Sequence, residues 1–413
     1  MKVALRFLVY EHVSGGGFAD VPLPASVLSE GFGMLRTLAA DFKAAGHKVI
    51  TLIDARIARL NPPILADCIV PVFSCQETLA NLRKLSEQAD AAYVIAPETD
   101  GMLRSLVKTV EQTGTTSLNC GSSAIENVSN KVSFYERMRK LGLSVPETLT
   151  FTVTDNLKEI AKSVMDGLGF PVVFKPSDGV SCGGVSVVRE KMQVAIAVAK
   201  IKAESSGKRF LVQEFIKGAA ASVSLFTTGR RVMPVSLNRQ DVVIGTPEVC
   251  SRYSGGLVPF DHQMQAEAFE AAKKLVKAVH GLKGYIGVDF VLTDKAAVAI
   301  EVNPRLTTSY VELRQVVNFN PAQVIVDAVL NRNLPIQVER RGYAYFSKVE
   351  TPIPTFVALQ ETYGLDEVVS PPFPVSKGSA TALVASYGGT SQEATARFRE
   401  AKKRVLDTIT RGG

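Results

Sequence analysis

The sequence is poor in the residues that build disulfide frameworks and soft-metal sites. Five cysteines are scattered along 413 residues without a C-x-x-C pair, namely Cys68, Cys75, Cys120, Cys182 and Cys250. This spacing predicts neither a disulfide framework nor a zinc site. The four histidines, His12, His47, His262 and His280, have no ligand spacing either. The sequence therefore points away from chemistry that depends on thiolate or imidazole clusters.

The sequence also lacks an uninterrupted apolar run long enough to span a membrane. In the opening "MKVALRFLVYEH", Arg6 interrupts the apolar run and no small-residue cleavage site follows. The net charge of +7 is spread along the chain, without a basic patch interleaved with aromatics. We therefore expect a cytoplasmic protein with neither a membrane nor a nucleic-acid partner. A composition of 46% hydrophobic and 21% charged residues fits two or three globular domains.

The first region, up to about residue 125, alternates strand-like and helix-like segments. The runs "VALRFLVY", "KVITLID" and "AAYVIAP" predict strands of a small parallel sheet with helices between them. Ligands gather beyond the carboxyl ends of such strands, where "EHVSGGGFADVPLP" and "PETDG" fall. The three glycines of the first loop form either a flexible connection or a ligand-contacting turn, and the sequence leaves both open. The dinucleotide pattern G-x-G-x-x-G is absent.

The stretch "VDFVLTDKAAVAIEVNPR" predicts a β-hairpin with two facing acids. With the turn near Lys295, antiparallel pairing puts Asp289 directly opposite Glu301, where like charges repel. Asn303 shares their face. The alternation of the strands assigns the opposite, core-facing side to Phe290, Leu292, Val298, Ile300 and Val302. The hairpin alone does not explain why two acids face each other on one side.

Two lysines stand beside features suited to phosphate groups. In "NVSNKVSFYERMRKLGLSVPET" a helix capped by Ser129 or Asn130 carries Lys131 in its first turn, where a cation opposes the helix dipole. In "FPVVFKPSDGVSCGGVSVV" a strand ends at Lys175 and a loop of glycine, serine and aspartate follows. Such a loop offers backbone N–H groups to phosphate, although it lacks the Walker pattern. An ordinary long hairpin is the alternative.

In their order and spacing these pieces resemble the ATP-grasp superfamily. The segments "SNK", "FPVVFKPSDGVSCGG", "VQEFIKG", "GVDFVL" and "IEVNPR" cover the chain from about residue 126 to 310. The resemblance implies an ATP-grasp fold of mixed α/β and α+β class, preceded by a small parallel-sheet pre-ATP-grasp domain. It implies a pre-ATP-grasp domain at 1–125, a lid lobe at 126–212 and a C-terminal lobe with the metal site at 213–413.

The same resemblance assigns roles to particular residues. ATP phosphates would lie against Lys131 and Lys175, and adenine against the backbone of Glu214 and Ile216. The glycine loop at 179–184 would close as a lid, through Gly179, Ser181, Gly183 and Gly184. Mg²⁺ or Mn²⁺ would bind Asp289, Glu301 and Asn303, while Arg305, with Lys175, would serve catalysis. Ala220 departs from the superfamily, which usually has an acid there for the ribose hydroxyls, so ribose binding is expected to differ.

Within the superfamily, "YEHVSGGG", "YSGGLVPF" and "NPRLTTSYVELR" resemble the tyramine-glutamate ligase branch of methanofuran biosynthesis. This implies an ATP-dependent ligase that forms an amide through an acyl phosphate and joins glutamate to tyramine or a related aromatic amine. Small-molecule amino acid and amine partners follow, and a homodimer is left open. Candidate substrate residues are Ser14, Gly15, Gly16, Glu98, Asn238, Arg252, Tyr253 and Tyr310.

Each substrate candidate also has a plain structural interpretation. The tyrosines can simply pack, Arg252 can be a surface cation, and Glu98 can cap the helix that follows "IAPE". Two other functions remain open. A ligase for other amino acids or amines would carry the same motifs, and a non-catalytic nucleotide-binding regulator would keep the fold, with Ala220 in its favour. A carboxylase is disfavoured because no biotinylation segment such as "AMKM" is present.

Overall fold

The computed structural model describes residues 4–177, 183–375 and 378–411. Within these ranges the strands form three sheets of five, four and eight strands. None of the helices in the described ranges is long and apolar enough to cross a membrane.

The N-terminal sheet is parallel, with strand order β3-β2-β1-β4-β5. Its strands are β1 (Arg6–Glu11), β2 (Lys48–Asp54), β3 (Cys68–Val72), β4 (Ala91–Ile95) and β5 (Thr116–Ser117). Its helices are α1 (Ala25–Ala44), α2 (Ala55–Ala58), α3 (Cys75–Glu87) and α4 (Met102–Gln112). The central strands β1 and β4 are apolar and buried because helices cover both faces of the sheet. The predicted small parallel sheet is confirmed.

The second sheet is antiparallel, with order β6-β9-β7-β8. Two helices lead into it, α5 (Ser122–Ser129) and α6 (Lys131–Lys140). The sheet and its helices are β6 (Thr148–Thr152), α7 (Leu157–Gly167), β7 (Val172–Pro176), β8 (Ser186–Val188), α8 (Val194–Glu204) and β9 (Arg209–Glu214). The apolar faces of α7 and α8 close a small core of their own against this sheet.

The third sheet is antiparallel, with order β14-β13-β10-β11-β12-β15-β17-β16. Its first part contains β10 (Ala219–Thr227), β11 (Val232–Val243), β12 (Arg252–Val258), α9 (Gln265–Lys277), β13 (Gly284–Leu292) and β14 (Ala297–Asn303). Its second part contains α10 (Tyr310–Val316), α11 (Pro321–Leu330), β15 (Tyr343–Thr351), α12 (Phe356–Thr362), β16 (Val368–Ser370), β17 (Ala380–Gly388) and α13 (Ser391–Arg411).

Helix α1 joins the N-terminal and C-terminal sheets. Phe32 on α1 stacks edge-on against Phe373, with ring centroids 4.8 Å apart. Arg36 Nη1 donates to the carbonyl oxygen of Val368 at 2.6 Å. At Gly33 an added Cβ would lie 2.9 Å from Leu383 Cδ2, so glycine permits this close approach. One apolar core therefore runs from the N-terminal sheet through α1 into the C-terminal sheet.

The acidic hairpin forms with the predicted pairing of Asp289 and Glu301, but its alternation is interrupted one residue earlier on β14. Asp289 pairs with Glu301, whereas Phe290 pairs with Ala299. Ile300 is therefore the extra residue of a β-bulge. The prediction that Ile300 faces the core with Val298 and Val302 is wrong, because the bulge turns it to the cavity described below.

Candidate active site

A cavity of about 330 Å³ lies where the three sheets meet. Its floor is the third sheet, and its walls come from α1 and the end of β4, from α6, and from the four-stranded sheet. Six of the predicted phosphate, metal and catalytic residues line it together: Lys131, Lys175, Asp289, Glu301, Asn303 and Arg305. They come from distant parts of the sequence, so only the fold brings them to one place.

The facing acids are the electrostatic centre of the cavity. Burial, and then the charge of Glu301, raises the pKa of Asp289 to about 7. Burial also acts to raise the pKa of Glu301, but Lys131 and Lys175 outweigh it and hold that pKa below its usual value. Asp289 accepts hydrogen bonds from Asn303 Nδ2 at 3.0 Å and from Gln240 Nε2 at 3.2 Å. The oxygens of both acids and the Asn303 amide thus gather on one face.

The two lysines stand beside this centre. Asn130 caps α6 by accepting a hydrogen bond from Ser133 N, as the sequence predicts, and thereby fixes the first turn. Lys131 Nζ lies 2.9 Å from Glu301 Oε2. Lys175, at the end of β7, is 6% exposed, and burial together with nearby Lys131 lowers its pKa to about 8. Two cations held this close are favourable only beside negative charge.

Arg305 follows the hairpin and is held in position by Glu98. Its Nε and Nη2 atoms both lie 2.9 Å from Glu98 Oε2. Glu98 makes no side-chain cap for the short turn that follows it, so its interpretation as a helix cap is wrong. A loop of the N-terminal domain therefore orients the arginine of the C-terminal sheet.

The predicted adenine residues lie at the opposite end from the N-terminal domain. Glu214 and Ile216 line the cavity with Phe215 and Ala220. The backbone N–H of Glu214 donates to the carbonyl oxygen of Glu147 at 3.0 Å. That N–H is therefore already engaged within the protein.

The glycine loop is described in part. Gly179 and Ser181 lie outside the described residues, whereas Gly183 and Gly184 form the turn into β8. Gly184 has φ +68° and donates its N–H to Glu204 Oε2 at 2.6 Å. An added Cβ on Gly184 would approach Pro176 Cγ to 2.7 Å. Both its conformation and this close contact require glycine.

Two of the predicted substrate residues line the cavity, Asn238 and Tyr253. Asn238 is 1% exposed on β11, and Tyr253 starts β12 with the ammonium of Lys348 5.6 Å from its ring centroid. Thr307, Thr308 and Ser309 of the "TTSY" run also line the cavity. These residues form the end that faces the N-terminal domain.

The other six substrate candidates do not line the cavity: Glu98, which holds Arg305 as described above, and Ser14, Gly15, Gly16, Tyr310 and Arg252. Ser14, Gly15 and Gly16 are buried in one π-type turn, Val13–Gly17, where the Ser14 hydroxyl donates to Glu11 Oε2 at 2.6 Å. Tyr310 is buried and donates to Asp41 Oδ2 at 3.0 Å. Arg252 is exposed. Of this turn and the residues just before it, Glu11 and Val13 are the ones that line the cavity.

Sequence reasoning missed the charged pair at the N-terminal end of the cavity. Glu30 on α1 lines the cavity and pairs with Lys348 Nζ of β15 at 2.7 Å. Its other oxygen accepts a hydrogen bond from Thr308 Oγ1 at 2.7 Å. The apolar spacing of α1 gives no signal for Glu30, because a polar residue between the apolar positions Leu28 and Phe32 is ordinary on an amphipathic helix.

A nucleotide-sized cavity between a lid-like sheet and a larger antiparallel sheet, with paired acids and lysines, defines an ATP-grasp enzyme. The ATP-grasp domain model matches residues 128–309, and the pre ATP-grasp 3 domain model matches residues 47–125. The chain belongs to the ATP-grasp family, and it is an ATP-dependent ligase that forms carbon–nitrogen bonds.

Its curated relatives include tyramine–L-glutamate ligases of two methanogens. The one from Methanocaldococcus jannaschii is 30% identical over 349 residues, covering 82% of this chain and 94% of the relative. The one from Methanocaldococcus fervens is 28% identical over 343 residues, covering 81% and 98%. Their names supply the starting point for the substrates considered below.

Solved structures agree on the fold. L-amino acid ligase from Bacillus licheniformis is similar with a TM-score of 0.66 and 15% identity, and the match covers 98% of each chain. N5-carboxyaminoimidazole synthetase from Staphylococcus aureus, complexed with ADP, is similar with a TM-score of 0.67 and 15% identity, covering 97% of this chain and 98% of that one. These likenesses extend over all three sheets.

Proposed function

We propose that the chain joins the side-chain carboxylate of glutamate to an aromatic amine such as tyramine, through an acyl phosphate. The observation that carries this proposal is a single cavity with two different ends. One end has the paired acids, two lysines and an arginine, which suit ATP phosphates. The other end, built from α1, β11 and the 307–309 segment, has polar groups and apolar walls for two organic substrates. The names of the relatives support this choice of substrates.

The proposed reaction has two steps. In the first, a carboxylate oxygen of the acid attacks the terminal phosphorus of ATP, the bond to the bridging oxygen breaks, and ADP leaves. In the second, the amine nitrogen attacks the carbon of the acyl phosphate, the bond from that carbon to the phosphate oxygen breaks, and the nitrogen loses one proton. The products are the amide, ADP and inorganic phosphate. Positioning and charge neutralisation supply most of the catalysis in such transfers.

The proposed roles follow from charge and position. Lys131 and Lys175 bind the phosphates, and burial around Lys175 strengthens that interaction because water is excluded. Arg305, oriented by Glu98, stabilises negative charge that develops on the transferred group and on the tetrahedral carbon. Glycines 179, 183 and 184 and Ser181 cover the phosphates, while Glu214 and Ile216 contact adenine.

A divalent cation fits the acid pair. The described residues contain no group of three or more His, Cys, Asp or Glu side chains placed for a metal. The candidate set is two carboxylates and one amide, Asp289, Glu301 and Asn303, whose oxygens gather on one face. Such a sparse oxygen set suits Mg²⁺ or Mn²⁺, which take further ligands from water and phosphate. Bound there, the cation would neutralise phosphate charge.

The decisive experiment identifies the products and the intermediate. With ATP, Mg²⁺ and glutamate present and the amine replaced by hydroxylamine, the proposal expects ADP and a γ-glutamyl hydroxamate, with trapping suppressed by tyramine. Chelation of the metal is expected to stop both. AMP as the stoichiometric product would refute the acyl phosphate. ADP without hydroxamate would remove glutamate as the acyl donor, and a parallel series with tyrosine tests the choice of amine.

A further inference from the structure

A buried network of hydroxyl groups holds one amide at the floor of the cavity. Asn238 Nδ2 lies 2.9 Å from Ser224 Oγ, 3.3 Å from Ser222 Oγ and 3.4 Å from Ser309 Oγ. Ser224 is bonded to Tyr285, and Tyr285 to Thr307, at 2.7 and 2.8 Å. The network draws on three neighbouring strands and the segment after the hairpin. It fixes both the position and the orientation of the Asn238 side chain.

The other end of this amide has no partner. Asn238 is 1% exposed and lines the cavity, and its Oδ1 atom is buried without a hydrogen bond. A buried carbonyl oxygen left without a donor destabilises a folded protein, so native structures rarely keep one without a function. A ligand group that donates a hydrogen bond from within the cavity would satisfy it.

The acids at this end of the cavity already have partners. Glu30 lines it and pairs with Lys348, and Glu11 lines it and accepts hydrogen bonds from the backbone N–H groups of Val13 and Ser14. Most cationic side chains that line the cavity already face an acid, in the pairs Lys131–Glu301, Arg305–Glu98 and Arg239–Asp241. Lys175 lies beside the metal residues at the other end. The unpartnered Oδ1 atom of Asn238 is therefore the acceptor that an ammonium group would meet at this end.

The strand register gives the spacing between Asn238 and the metal residues. Asn238 pairs with Ser222, and Ser222 pairs with Asp289 on the next strand. Two strand spacings separate Asn238 from Asp289, or about 10 Å. The α-nitrogen and the side-chain carboxyl carbon of extended glutamate are about 5 Å apart. The remaining distance accommodates the phosphoryl group that the carboxylate attacks.

We propose that Asn238 Oδ1 accepts a hydrogen bond from the α-ammonium group of the acid substrate, so that this end of the cavity selects an amino diacid over a plain diacid. The inference rests on the proposed function and deepens it. Asn238 is here a specificity-determining residue, because it holds the end of the substrate that does not react. Glu30, which is paired with Lys348, does not replace this directional contact.

The test compares glutamate with glutarate, which has the same chain and both carboxylates but no ammonium group. ADP formation in the presence of hydroxylamine gives kcat/KM for each acid. The wild-type protein is expected to prefer glutamate by at least about tenfold, the effect of one hydrogen bond to a charged group. Asn238→Leu, which has similar size but no acceptor, is expected to bring that ratio close to one. Asn238→Asp keeps an oxygen acceptor and is expected to keep or increase the preference.

Ser236→Ala is the matched control. Ser236 lies on the same strand and its hydroxyl donates to the backbone oxygen of Leu237, so the ratio should stay at the wild-type value. Turnover of glutamate with equal turnover of glutarate would overturn the inference and leave the proposed function intact. An undiminished preference in Asn238→Leu, or its loss in Asn238→Asp, would also overturn it. Absence of ADP formation with either acid would overturn both proposals.

Discussion

At the scale of single residues, the site places a pair of acids beside a pair of lysines. The charges within each pair repel, whereas the two pairs attract each other. Asp289 opposes Glu301 directly, and Lys175 lies close enough to Lys131 for that charge to lower its pKa. Each like-charged pair is held by the opposite charges beside it, with Lys131 2.9 Å from Glu301. ATP would add negative charge beside the lysines, and a divalent cation would add positive charge beside the acids. The residues therefore store electrostatic strain that ligands relieve.

The first prediction concerns this acid pair. Asp289→Asn and Glu301→Gln are each expected to lower kcat by about a thousandfold or more, because each removes a carboxylate proposed to hold the cation that neutralises phosphate charge. Stability of the metal-free protein should stay equal or rise in Asp289→Asn, since the repulsion is gone. Glu301→Gln should lower it, because Lys131 loses its ion pair with Glu301. Asp294→Asn, exposed in the turn of the same hairpin, is the control. Full activity in both variants with unchanged magnesium dependence would disprove the metal assignment.

The second prediction uses Glu312, which is buried on α10 away from the acid pair. Burial raises its pKa from 4.5 to about 8. Between these values the folded protein keeps a proton that the unfolded chain has lost, so stability falls as pH rises from about 4.5 to 8. The free energy of unfolding of Glu312→Gln, relative to that of the wild type, should therefore rise by about 1 kcal/mol or more between pH 5 and pH 8. Urea unfolding at both pH values measures this difference.

Glu361→Gln, exposed on α12, provides the comparison for Glu312. Its stability relative to the wild type should be the same at both pH values. A difference for Glu312→Gln that does not change with pH would show that the Glu312 carboxyl group is not protonated in the folded protein.

At the scale of elements, the start of α6 links helix stability to the phosphate site. Asn130 caps the helix immediately before Lys131. Asn130→Ala should therefore cost about 1 kcal/mol of stability and, because the first turn frays, raise KM for ATP. Asn156→Ala removes the equivalent cap of α7, which accepts from Lys158 N at 2.9 Å. It should cost similar stability with KM for ATP unchanged. Equal KM values for ATP in the two variants would show that the Asn130 cap does not influence ATP binding.

At the scale of the whole molecule, α1 unites the N-terminal and C-terminal sheets, while the four-stranded sheet has a core of its own. Gly33→Leu would place side-chain atoms where Leu383 and Val369 now lie, and overpacking of this kind costs about 1–3 kcal/mol. Hydrogen exchange should show protection lost together in β1, β4, β15 and β17. The four-stranded sheet should keep its protection.

Ala44→Leu, exposed at the end of the same helix, is the control for Gly33→Leu and should leave exchange unchanged. Loss of protection confined to the N-terminal sheet would show that the two sheets unfold independently. The boundaries at 1–125, 126–212 and 213–413 remain predictions. Hydrogen exchange in Gly33→Leu tests whether the segment 1–125 unfolds separately from the rest of the chain.

The sequence by itself determined the features that depend on short-range periodicity. Alternation along two strands and a short turn paired Asp289 with Glu301, and the polar residues before the first helical turn narrowed the cap to Ser129 or Asn130. Such features follow from local backbone geometry, which the same residues adopt wherever the segment lies. The fold was expected instead from the resemblance of the ordered motifs to the ATP-grasp superfamily.

Only the tertiary structure decided which distant side chains meet. Glu30 and Lys348 are 318 residues apart in sequence, and Asp41 and Tyr310 are 269 apart. Glu30 lines the cavity, whereas Asp41 and Tyr310 are buried away from it. In the sequence Tyr253 and Tyr310 were equally good substrate candidates, but of these two only Tyr253 lines the cavity. The bulge at Ile300 and the unpartnered oxygen of Asn238 are decided in the same way. Their surroundings are set by how sheets and helices pack, and packing has no period along the chain.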